Sequence, residues 1–127
     1  MAFTSTSPYS SSVTSVTSVQ TDADATATND ITGGTNLVLT TVEIDCATNS
    51  VQSTVYLKFY DDGNPTVGTT DPVFVIPMAA SARGVFQISG GGYTFTNAIS
   101  FACVTDGGGT AGTTSPATNV IVRVTTE

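Results

Sequence analysis

The chain has 127 residues, a formal net charge of −7 and only three basic residues, Lys58, Arg83 and Arg123. Because these three are far apart in the sequence, the chain lacks the clustered positive charge with which proteins bind nucleic acids or anionic membrane surfaces. It also has no histidine, so Ser-His-Asp and Cys-His catalytic arrangements are excluded and an enzyme would have to rely on carboxylates.

Hydroxylated residues dominate the composition, with 25 threonines and 13 serines. Threonine suits the pleated surface of a strand, while serine and glycine suit turns. The sequence therefore predicts an all-β protein: a single antiparallel β-sandwich, jelly-roll-like or immunoglobulin-like, of about seven to nine strands.

The first 18 residues, MAFTSTSPYSSSVTSVTS, contain too few apolar side chains to build a core. We interpret residues 1–18 as an extended N-terminal arm and residues 19–127 as the sandwich domain. This start has neither the basic nor the apolar region of a secretory leader, so we expect synthesis in a host cytoplasm. Spaced apolar residues in the arm are predicted to gain contacts on a shell or on a sister subunit; they are Phe3, Tyr9, Val13 and Val16.

An acidic stretch, TDADATATND, follows the arm and places several side-chain oxygens between Asp22 and Asp30. Oxygen ligands at such spacing can hold calcium, but the stretch lacks the loop glycine and the bidentate glutamate of an EF-hand. A solvated acidic loop is the favoured interpretation, and a calcium site stays open as the alternative.

Short apolar or alternating segments separated by turn clusters continue to the end of the chain. They predict strands at roughly 13–20, 36–46, 53–60, 72–78, 84–89, 93–95, 98–104 and 118–126.

The strand at 53–60 alternates in character. Its apolar residues point toward a core, while Tyr56, Lys58 and Tyr60 point the other way. We expect the second face to be solvated or to form a subunit interface, with Lys58 at least partly exposed. The adjacent Asp61 and Asp62 fall in a turn, and their chemistry favours turn formation over catalysis.

The strand at 72–78, PVFVIPM, is apolar on both faces, with Phe74 and Ile76 on one and Val73 and Val75 on the other. This pattern predicts cover on both sides, from the arm or from another subunit. Prolines at both ends favour an edge strand, so the segment is a predicted assembly contact.

Two cysteines, Cys46 and Cys103, lie in apolar strand contexts. Without a sign of export we expect two free, buried thiols, with a disulfide as the alternative. Neither metal-ligand spacing nor a phosphate-binding glycine loop is present, so no metal or cofactor is predicted.

The run STVYLKFYDDGNPTVGTTDPVFVIPM, the segment YTFTNAISFACVTDGGGT and the closing NVIVRV together resemble small β-sandwich virion proteins of tailed bacteriophages, of the capsid decoration or cement type. The resemblance covers roughly residues 53–125 and includes no catalytic residues to transfer. It implies a non-enzymatic virion protein that binds outside the major capsid shell and stabilises it.

The resemblance further implies that the major capsid protein is the partner, that the protein is a homo-oligomer, with a trimer favoured, and that it is located on the capsid surface. Two alternatives stay open: a tail, neck or fibre component of the particle, or a carbohydrate or cell-surface binding module. For the latter, Tyr56, Tyr60 and Tyr93 would have to form a platform on which sugars stack.

Overall fold

The computed structural model describes residues 15–127, which form eight β-strands and no helix. All pairings between these strands are antiparallel, and the strands form two sheets, so the predicted all-β sandwich is confirmed. Each strand overlaps one predicted from the sequence. The strands are β1 (Val16–Ala23), β2 (Leu37–Asp45), β3 (Val55–Tyr60), β4 (Phe74–Met78), β5 (Arg83–Gln87), β6 (Tyr93–Phe95), β7 (Ser100–Val104) and β8 (Val120–Thr126).

The larger sheet has the strand order β1-β8-β2-β5, and β6 pairs with the beginning of β2 beside β5. The smaller sheet has the order β4-β3-β7. An irregular segment, residues 24–31, runs along the outer side of β7: the N–H of Cys103 donates to the Asp24 carbonyl at 2.7 Å, and that of Ile31 donates to the Ile99 carbonyl at 2.9 Å. This segment protects the β7 edge of the smaller sheet.

The core lies between the two sheets and is built from alternate residues of the central strands. Strands β2 and β8 contribute aliphatic side chains, and β3 and β7 contribute Leu57, Phe59, Phe101 and Cys103, all of them buried. Full burial of one large apolar side chain stabilises a fold by about 1.5–3 kcal/mol. The aliphatic contributors from β2 and β8 are Leu39, Val42, Ile44, Val120, Val122 and Val124.

Cys46 and Cys103 are free thiols buried in this core, as predicted. Burial raises the pKa of the Cys103 thiol to about 12, with smaller contributions from nearby Cys46 and Asp24. Since the thiolate is the reactive form, burial and the raised pKa disfavour reaction at Cys103 in the folded protein.

Strand β1 begins at Val16, inside the segment predicted to be the arm. Val16 pairs with Thr126 and Ser18 with Val124, so residues 16–18 belong to the larger sheet. The other three predicted arm contacts, Phe3, Tyr9 and Val13, lie outside the described residues.

Candidate assembly surface

Strand β4 is an edge strand that pairs only with β3 among the described residues, as Pro72 and Pro77 predicted, although Pro77 lies within the strand and not at its end. Val73, just before it, is 37% exposed, and its N–H donates to the Phe59 carbonyl at 2.8 Å. Val75 is half-buried on the outer side of the smaller sheet. We name residues 73–77 the β4 edge.

A group of aromatic rings supports the β4 edge from the inner side of the sandwich. The Phe74 ring lies 4.9 Å from that of Phe59 and packs edge-on against Tyr93 at 5.7 Å. Tyr93 also packs edge-on against Phe95 at 5.0 Å and is itself 39% exposed. Because Tyr93 and Phe95 belong to β6, these contacts fix the β4 edge to the larger sheet.

The expected exposure of Lys58 is wrong, because the side chain has no solvent-exposed surface. It points away from the core as predicted, but a loop of the same chain covers it. Its ammonium donates hydrogen bonds to the carbonyl of Ala111 at 2.6 Å and, more weakly, to that of Thr110 at 3.4 Å. Burial lowers the pKa of Lys58, and the negative charge of Asp106 opposes that shift.

The covering loop, residues 105–115, has a conformation that depends on glycine. Gly107 and Gly112 both have positive φ, and a Cβ on either would lie 2.0 Å from a carbonyl oxygen across the loop, that of Ala111 or of Asp106. The Asp106 carboxylate accepts hydrogen bonds from the N–H of Thr114 at 2.8 Å and from its hydroxyl at 2.9 Å. These bonds lower the pKa of Asp106.

A second loop, residues 61–72, braces the first. The Thr110 hydroxyl donates to the Asp71 carboxylate at 2.6 Å. A Cβ on Gly68 would lie 2.7 Å from the Thr113 methyl group, so the two loops are in close contact. Together they cover the outer face of β3, where the sequence had predicted solvent or another subunit.

The neighbouring tyrosines follow the same pattern. Tyr60 is fully buried, and its hydroxyl has no hydrogen-bond partner among the described residues. Tyr56 is half-buried beside Gly108. Tyr93 lies on the other sheet, so the three rings do not form the platform that sugar stacking would require.

The predicted contact residues are therefore separated by the fold. Val73 and Val75 lie on the β4 edge, Tyr56 beside it on β3, and Val16 on the opposite edge of the larger sheet, where it is 47% exposed. Lys58 and Tyr60 are both fully buried, so neither can contact a partner. Sequence reasoning considered Tyr93 only for sugar stacking and missed its position against Phe74 at the β4 edge; the alternation of YTF beside a glycine run was the available signal.

The acidic residues mostly organise turns. The Asp61 carboxylate accepts hydrogen bonds from the N–H groups of Thr96, Asn97 and Ala98 at 2.8–3.2 Å. Asp24 accepts one from the N–H of Thr26 at 2.8 Å, within the acidic stretch. In residues 15–127 no three His, Cys, Asp or Glu side chains come together as a metal site would require.

Asp45 is the acidic residue with the most strongly shifted pKa. Burial alone would raise it, but hydrogen bonds from the hydroxyl and N–H of Thr48, from Arg83 and from the N–H of Ala47 outweigh burial and hold the pKa at about 2. Arg83 completes this arrangement as an ion pair at 3.0 Å. The group ties the end of β2 to β5, which is a structural role.

Comparison of the chain with family models, curated proteins and solved structures found no match. Within residues 15–127 there is no helix of the length and hydropathy needed to cross a membrane.

Proposed function

We propose that the protein is a non-enzymatic virion component, a capsid decoration protein that binds outside the major capsid shell as a homotrimer and stabilises the shell. The resemblance of residues 53–125 to phage virion proteins motivates the proposal. The β4 edge is the observation that carries it.

Soluble proteins normally protect an edge strand with charged side chains, because its unpaired N–H and C=O groups can recruit other strands. The β4 edge carries Pro77 and is preceded by Pro72, and these prolines also discourage strand pairing, but residues 72–82 contain no charged side chain. Val73 within it and Tyr93 beside it present apolar surface. An uncharged edge of this kind suits a lasting contact with an apolar surface on another protein.

The aromatic packing behind the β4 edge favours such a contact. The aromatic packing of Phe74 against Phe59 and Tyr93 gives the β4 edge a defined shape before a partner arrives. A pre-organised surface loses little conformational entropy on binding. A decoration protein that binds a repeating lattice gains the same advantage at every site.

The copy number in purified particles tests the proposal. Quantitative mass spectrometry of particles that contain the chain should find on the order of hundreds of copies, since a symmetric shell repeats each decoration site many times. A copy number of about a dozen or fewer would assign the protein to the tail or neck instead. Glycan binding by the isolated chain, without any affinity for shells, would support a carbohydrate-binding module.

A further inference from the structure

The larger sheet turns one face away from the core, and apolar side chains are exposed on it. Side chains that are paired across an antiparallel sheet point to the same side, so they form rows that cross the strands. Val85 on β5 is 65% exposed and Val19 on β1 is 54% exposed, the two highest values for large apolar side chains in the described part of the chain. Both belong to one row, which we name the outer row: Val19, Arg123, Glu43 and Val85.

The outer row has a definite order of chemistry, which is apolar, positive, negative, apolar. Its two charges form an ion pair within the chain, in which the Arg123 guanidinium donates to the Glu43 carboxylate at 2.9 Å. The Arg123 side chain is nevertheless 39% exposed and that of Glu43 is 27% exposed. Because a guanidinium has five N–H donors and a carboxylate has two acceptor oxygens, each group can bind a second partner of opposite charge.

The charge of this part of the sheet differs from that of the rest of the protein. The next row contains the ion pair of Asp45 and Arg83. The two rows together hold two acidic and two basic residues, so their net charge is zero. The formal charge of −7 is therefore carried by residues outside the two rows. Two copies can meet through these rows without bringing most of their acidic groups together.

We propose that the outer row is a contact between two copies of this chain, which pack face to face about a two-fold axis that runs along the strands between β8 and β2. Stacked sheets keep their strand directions within about 30° of each other, as this axis does. Arg123 of one copy then lies over Glu43 of the other. Val19 of one copy lies over Val85 of the other, so all four positions meet a complementary side chain.

The order of the charges selects both the partner and the axis. A two-fold axis across the strands would stack Arg123 on Arg123 of the other copy, and like charges repel. A uniformly acidic or basic surface would meet one charge of each sign in the outer row and gain no net attraction from it. A matching surface must present the reverse order, and the two-fold copy of the row does so.

The size of the contact sets its strength. Four strands about 4.8 Å apart, with three rows about 6.8 Å apart, give roughly 400 Å² per copy, which is about half of a standard interface. We therefore expect a weak and reversible dimer. The contact lies on the other sheet from the β4 edge and goes beyond the proposed function, since it requires no shell.

Charge-swapped variants test the contact by sedimentation equilibrium, with thermal melts to show that each is folded. Arg123→Glu alone and Glu43→Arg alone place like charges against each other across the axis, so each should weaken self-association at least about ten-fold. An equimolar mixture of the two should recover the wild-type affinity, because each introduced charge then faces its opposite on the other chain. The chain with both changes has the wild-type net charge and should recover it as well.

An ion pair that acts only within its own chain predicts a different result. Each single variant would then lose stability but associate as wild type does, and the mixture would behave as their average. That result overturns the inference, as does a wild type that is monomeric at about 1 mM. If deletion of residues 2–12 converts a monomer into a dimer, the N-terminal segment covers the face and a second copy does not.

Single cysteines test the axis independently of charge. A short bifunctional thiol reagent should join Val19→Cys to Val85→Cys in a mixture and should join neither variant to itself; the native Cys46 and Cys103 are buried. Val73→Cys, on the smaller sheet, is the control and should cross-link with neither. Cross-linking of each variant to itself would place the axis across the strands, and yields no higher than those of the control would mean random collision. Either outcome overturns the proposed arrangement.

Discussion

Strands β3 and β4 are neighbours in the same sheet, and the sequence predicted β4 to be the more completely covered of the two. The structure shows the reverse. The alternation of β3 predicted one solvated face, and the apolar pattern of β4 predicted cover on both sides. In the structure β3 is covered on both faces, and β4 keeps an open edge with Val73 exposed. The alternation of a strand indicates which of its side chains tolerate burial. Whether a face is actually covered depends on where the loops of the chain lie.

The inner face of β3 should show the largest effect on stability. Phe59 is fully buried and contacts Phe74, Phe95 and Phe101. Phe59→Ala should lower the free energy of unfolding by about 3–5 kcal/mol, measured by urea denaturation. A loss below about 1 kcal/mol would mean that the strand register is wrong.

The outer face of β3 should come next. Lys58→Ala leaves the Ala111 and Thr110 carbonyls without their donor and opens a cavity under the loop, so it should cost about 2–4 kcal/mol. Lys58→Met keeps the aliphatic stem and should recover part of that loss in the same denaturation experiment. If Lys58→Ala is neutral, the loop does not depend on the lysine and the face is open after all.

These two positions also show what could be inferred from sequence alone. The periodicity of Leu57 and Phe59 and the turn residues between segments predicted the strands and the inner face of β3. The cover over Lys58 could not be predicted, because it depends on where residues 105–115 return in space. The glycines on which that loop depends, Gly107 and Gly112, could belong to any turn when seen in the sequence. Only their close contacts with the loop backbone show their role.

The loop itself should respond to acid. Hydrogen bonds from the N–H and hydroxyl of Thr114 lower the pKa of Asp106, so the stability that this group contributes is present above the ordinary pKa of a carboxyl group. It is lost as the pH falls through the lowered value. The melting temperature of Asp106→Asn should therefore fall less steeply on acidification than that of wild type, an effect smaller than that of Lys58→Ala. Asp22→Asn, in β1, is the control and should follow wild type.

The β4 edge should show the smallest effect on folding. Val73 is partly exposed, so Val73→Ser should change the free energy of unfolding by less than about 1 kcal/mol. The same change should weaken binding to shells if the β4 edge is the contact. Thr17→Ser, on the outer face of β1, is the control and should leave binding unchanged. Equal binding by wild type and Val73→Ser would move the shell contact to another surface.

Chemical labelling of Lys58 tests the difference between β3 and β4 most directly, because it is the only lysine in the chain. A second lysine introduced by Thr17→Lys, at an exposed position, provides an internal reference in the same molecule. Treated briefly with an amine-reactive ester and mapped by mass spectrometry, Lys58 should react at least about 100-fold more slowly than the reference, since reaction requires the loop to open. Equal rates at the two positions in the folded protein would contradict the account.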